Sequence, residues 1–128
     1  MKSCIKEKDS PEIRLQKLVT EAGIFLKKDE KFYKFCIEFL SMGVRDSEIR
    51  NIMTDFYKNS VATFRTIIED GMRSGKFAQD LDAEKTARVF YLLVMGVFFT
   101  YFSINVDFDI FKQQDFQINR ILKGIMNT

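Results

Sequence analysis

Residues 69–87 read EDGMRSGKFAQDLDAEKTA, and the order of turn and cap residues in this stretch decides how the chain is built. Gly71 and Gly75 close a long helix and let the backbone reverse, because glycine alone enters the left-handed conformation freely. Phe77 is placed to fold back over the helix ends. Asp80 and Asp82 hold the connection and supply a cap for the next helix. Spacing alone would also make them a carboxylate pair for a cation, but a helix start accounts for them better. Thr86 and Ala87 are small enough for the new helix to pack closely. Further along, Gly96 removes a side chain from a large apolar helix at a cost of about 1 kcal/mol relative to Ala, which points to close backbone approach.

Outward from this turn, apolar residues recur with helical period and no window alternates with period two. Upstream, Ile49, Ile52, Met53, Phe56, Tyr57, Val61, Phe64, Ile68 and Met72 form the stripe of a long helix from about 46 or 47 to 74. Before it, Phe32, Phe35, Cys36, Phe39 and Leu40 mark a helix from about 29 to 42, with Gly43 as a left-handed cap. Ser10 and Pro11 start a first helix, as N-cap and first helical residue, and its stripe is Leu15, Leu18, Val19, Ala22 and Leu26. Downstream, a helix is expected over about 83–104, then a loop around 105–109, then a last helix over roughly 113–126. The expectation is five helices in one domain.

Composition narrows the function. The 128 residues suffice for one domain with a core, and 46% apolar with 30% charged residues excludes a disordered chain. Twenty basic and 18 acidic residues leave a net charge of +2, without the basic face of a nucleic-acid binder. The cluster Lys27, Lys28, Lys31 and Lys34 reads as a solvated junction between helices. Fourteen Phe and four Tyr with six Met give a core of flat rings, whose irregular gaps Met can line. Cys4 and Cys36 have no metal-ligand spacing and read as reduced thiols of a cytoplasmic protein, Cys36 as a small buried hydrophobe. No secretory signal is seen in residues 1–10. The run 89–106, VFYLLVMGVFFTYFSINV, is charge-free and at the lower limit for a membrane span, but its polar residues favour a helix covered by protein. Without any His, phosphate loop or nucleophile elbow, no enzyme, metal site or cofactor is expected.

This arrangement resembles the C-terminal domain of TetR-family transcriptional regulators. The matching positions are Glu69, Gly71, Gly75, Phe77, Asp80, Asp82, Ala87 and Gly96, preceded by the Pro-initiated helix, the Phe-rich helix and the DSEIRNIM opening at 46–53. The resemblance covers roughly residues 11–126 and rests on order and spacing. It implies an all-α antiparallel bundle of about five helices, with residues 1–10 poorly ordered and 11–128 forming an effector-binding and dimerisation domain. It implies a homodimer whose last two helices build an intermolecular four-helix bundle, with Val97, Phe98, Tyr101, Phe102, Ile118, Ile121, Leu122 and Ile125 as interface candidates. It also implies a cavity for a small, neutral, mostly apolar effector. The candidates to line it are Phe35, Phe39, Met42, Met53, Phe56, Tyr57, Ser60, Phe64, Tyr91 and Met95. Such regulators, repressors for the most part, read DNA through an N-terminal helix-turn-helix head. No segment of that length precedes Pro11, so operator binding is not expected of this chain by itself. The competing reading is a stand-alone helical carrier for a lipid or small apolar molecule.

Overall fold

The computed structural model of the chain describes residues 8–127. Five helices follow one another: α1 (Pro11–Lys28), α2 (Glu30–Met42), α3 (Ser47–Arg73), α4 (Ala83–Ser103) and α5 (Ile110–Ile125). The fold is all-α, as the periodicity requires. Each helix begins at a side chain that accepts from its first-turn amides: Ser10, Asp29, Asp46, Asp82 and Asp109. Each such cap contributes about 0.5–2 kcal/mol. Cys4 and the rest of residues 1–7 lie outside the described residues, so the N-terminal expectation touches only residues 8–10, where Ser10 caps α1.

The main core joins α1, α3, α4 and α5. Leu15 and Val19 meet Val61, Phe64, Ile67 and Ile68, with Phe90 and Leu93 from α4 and Ile118, Leu122 and Ile125 from α5. Phe64 and Phe90 stack at 5.5 Å with an interplanar angle of 20°. A smaller cluster of Leu26, Val97, Phe98 and Ile110 closes the far end. α4 is long and apolar enough to cross a membrane by length and composition. Here one face of it enters both clusters and the other stays outside them.

Between α3 and α4, the quoted turn performs the jobs its residues suggest. Gly75 has φ +81°, and Phe77, fully buried, lays its ring on Gly71. Asp82 caps α4 through the Lys85 amide at 3.0 Å. Residues 76–78 then meet the end of α5: the Ala78 amide donates to the Ile125 carbonyl (2.9 Å), and the Asn127 amide to the Lys76 carbonyl (3.0 Å).

Several expectations need correction. α5 starts at Ile110, three residues early, because Asp109 accepts from the Phe111 and Lys112 amides and Ile110 is buried. Gly43 is right-handed, at φ −60°, so it does not act as a left-handed cap. Gly96 faces open space on the outer side of α4 and makes no close backbone approach within the chain. The interface candidates divide by burial. Val97, Phe98, Ile118, Leu122 and Ile125 are buried in the chain's own core. Ile121 is half-buried against the same core. α4 is apolar all round, so spacing could not tell its inward from its outward side.

One buried residue is out of keeping with its surroundings. Gln114 on α5 is 2% exposed beside Gly23 and Phe111 of the α1–α5 contact. Neither its amide nitrogen nor its amide oxygen has a hydrogen-bond partner among the described residues. An unmade pair of this kind costs about 1–3 kcal/mol. Gln114→Met, of similar length, is therefore expected to raise the unfolding free energy by about 1–3 kcal/mol in urea titrations. A drop in stability would place a bound water on the amide.

Candidate functional site

Burial along α3 changes sides halfway. From Val61 onward its apolar residues enter the core, while Ile52 and Phe56 in the first half stay about half exposed. They do so because α2, which they face, does not close on them. None of the thirteen residues of α2 is buried, and Phe32 and Phe35 are 55% and 61% exposed. Between α2 and the α1–α3–α4 wall lies a half-open cavity of about 620 Å³. That is within the range of small-molecule sites.

The lining comes from four helices. Leu18 and Ala22 of α1 form the floor, and α2 supplies Phe32, Tyr33, Phe35, Cys36, Ile37, Phe39 and Leu40. From α3 come Ile52, Met53, Phe56, Ser60, Thr63 and Phe64, and from α4 Tyr91, Val94, Met95, Phe98 and Phe102. The rings line the wall in pairs: Tyr33 stands edge-on to Phe98 at 5.6 Å, Phe35 stacks on Phe39 at 6.1 Å, and Phe56 lies 6.4 Å from Tyr91.

No Lys, Arg, Asp or Glu lines this space. Its titratable groups are held neutral as well. Burial pushes the Cys36 thiol up. Burial, with smaller contributions from Cys36 and Asp29, raises the Tyr33 hydroxyl, and burial with Tyr57 raises that of Tyr91. Cys36 is half-buried rather than fully so, and a thiol raised in this way is a poor nucleophile. The arrangement offers apolar contact, ring faces and a few hydroxyls. Among the described residues, no cluster of side chains suits a metal ion.

Eight of the ten candidates from the sequence line this one cavity: Phe35, Phe39, Met53, Phe56, Ser60, Phe64, Tyr91 and Met95. Met42 does not, being more than half exposed. Tyr57 does not either; its hydroxyl accepts from Arg88 Nε at 2.7 Å, and its ring stands edge-on to Tyr91 at 5.0 Å. Two residues given to the interface, Phe98 and Phe102, also line the cavity. A third, Tyr101, accepts from Lys27 Nζ at 2.6 Å at the junction of α1, α2 and α4. The breadth of α2's apolar face, from Phe32 round to Ile37, was the available signal for the residues that spacing missed.

The outward side of α4 carries another apolar surface. Val89, Leu92 and Phe99 are exposed, Leu92 at 56% and Phe99 at 52%, and Gly96 lies open between them. These four positions repeat at intervals of three and four, which puts them on one stripe of the helix.

A family model described as the C-terminal domain of BetI-type transcriptional repressors matches residues 11–102. No curated protein and no solved structure matches the chain.

Proposed function

The chain belongs to the C-terminal domains of BetI-type, TetR-family transcriptional repressors, and from that premise we propose that it senses a small, neutral, mostly apolar effector and dimerises. The observation that carries this reading is the charge-free aromatic cavity in a domain of a regulator family. A charged ligand buried there would have no counter-ion, at a cost of several kcal/mol. An apolar one would bury its surface against rings, gaining about 25 cal/mol per Å² removed from water. Selectivity for neutral over charged ligands follows from that difference.

The regulatory step is a population shift. A ligand that binds one arrangement of the helices better than another favours that arrangement. α1 borders the cavity through Leu18 and Ala22, so it would carry the change to an N-terminal DNA-reading head of the kind the family uses. In this reading DNA is met only through such a head, the protein works in the cytoplasm as a repressor, and no catalysis is involved. The partner is a second copy of the chain. The contact surface we assign to that pairing is the exposed stripe Val89, Leu92, Gly96 and Phe99.

The test is binding of N-phenyl-1-naphthylamine, a neutral apolar fluorophore, backed by a thermal-shift screen of neutral and charged metabolites. Saturable binding that neutral apolar compounds displace is expected. Ser60→Phe, which places a ring inside the cavity, should weaken the probe at least tenfold, roughly 1.4 kcal/mol, while the melting midpoint stays close to the parent. Preference for highly charged compounds would overturn the reading.

A further inference from the structure

The helix that roofs the cavity is attached in an unusual way. α2 buries no residue, so little packing holds it down. It joins α1 through the single residue Asp29, at φ −142° and ψ 71°, and it joins α3 through residues 43–46. At that second end, Arg50 donates to the carbonyls of Gly43 (2.9 Å) and Val44 (2.6 Å), fastening the connection to α3. The first end depends on Tyr101. Its hydroxyl accepts from Lys27 Nζ of α1 at 2.6 Å and donates to Glu30 Oε1 of α2 at 3.2 Å. Lys27 also lies 3.9 Å from Glu30 and 4.8 Å from the centre of the Tyr101 ring. Among the described residues, the Tyr101–Glu30 bond is the one side-chain hydrogen bond between α2 and another helix.

We propose that α2 is a hinged strap over the cavity and that the Tyr101 hydroxyl, through Glu30, is the latch that sets how fast a ligand enters and leaves. The proposal rests on the reading of the cavity as a ligand site and adds its gate. Held at one end by Asp29 and at the other by Arg50, α2 opens by rolling about the line between its two attachments, which needs Tyr33 to leave Phe98 and Glu30 to leave Tyr101. The latch touches no ligand, so it changes the frequency of opening and leaves the cavity walls alone. Tyr101 keeps its ring contacts with Phe102 (5.1 Å) and Phe108 (6.0 Å) when only the hydroxyl is removed.

Tyr101→Phe separates latch from wall. One net hydrogen bond corresponds to about a three- to tenfold change in the open population. Stopped-flow binding of N-phenyl-1-naphthylamine should show both entry and exit faster by that factor, with the equilibrium constant nearly unchanged. In the free protein, amides of α2 should exchange with deuterium faster by a similar factor, and those of α3 after Val61 should not. Glu30→Ala should reproduce both effects, and the double variant should add nothing to either single one. Unchanged α2 exchange in Tyr101→Phe overturns the latch. So does an exit rate that rises alone, because that marks a wall residue. If the parent protein binds no probe, the ligand-site reading fails, and the exchange measurement still decides the strap.

Discussion

Phe77→Ala is expected to lower the unfolding free energy by about 3–5 kcal/mol, the usual cost of deleting a fully buried ring. For a domain of this size that corresponds to a fall of roughly 10–20 °C in the melting midpoint. The ring joins three parts of the fold. It lies against Gly71 near the end of α3, so close that a Cβ added there would come within 2.2 Å of its Cδ2. Its own amide donates to the Gly71 carbonyl at 3.0 Å, and its backbone pairs with Met126 at the end of α5. Removing the ring leaves a void where α3, the turn and α5 meet. Gly71→Ala alone should also destabilise, by about 1–3 kcal/mol or more, because a well-packed ring must move. The two changes share one space, so the double variant should lose clearly less than the sum. Calorimetry of the three variants would read this. A loss below about 1.5 kcal/mol for Phe77→Ala would mean that the site collapses freely and the ring is no wedge.

That turn also shows what the sequence could reveal. Gly75 and Asp82 act through local backbone chemistry, so their roles follow from residue type and order, and the structure places both as expected. The cavity was partly legible for a related reason. Phe35, Phe39, Met53, Phe56 and Ser60 sit on the apolar sides of α2 and α3, and those sides had to face each other across a short connection. Which of them remain unfilled is a matter of how far α2 stands off, and periodicity carries no such distance. Tyr57 shares the stripe of Phe56 and Phe64, yet a hydrogen bond from Arg88, thirty-one residues away, holds its hydroxyl elsewhere. Long-range polar contacts of this kind leave no local mark. The same limit applies to α4: Val97 and Phe98 satisfy any apolar template as well as Leu92 and Phe99 do, although the first pair is buried and the second exposed.

In the dimer proposed above, Leu92→Arg is expected to leave only monomer. Leu92 sits mid-stripe between Val89 and Gly96 on the outward side of α4, and it is more than half exposed in the single chain. A guanidinium there meets solvent in the monomer, so the fold and its helical signal should persist. In a two-fold contact the same stripe meets its own copy, and each substitution is therefore counted twice across the interface. Each unpaired charge buried in such a contact costs about 2–5 kcal/mol, so the two together raise the dissociation constant by roughly a thousandfold or more. Gly96 sharpens the test, because its missing side chain would let the two α4 backbones approach closely. Gly96→Leu should weaken the dimer without touching the monomer, where a Cβ at this position meets nothing within 4 Å. Val44→Arg, at a highly exposed position between α2 and α3, serves as the control that adds charge elsewhere. Sedimentation equilibrium across a wide concentration range distinguishes the outcomes. If Leu92→Arg and the parent associate equally, or if the parent stays monomeric throughout, the stripe is not where two copies meet and the dimeric sensor reading loses its contact surface.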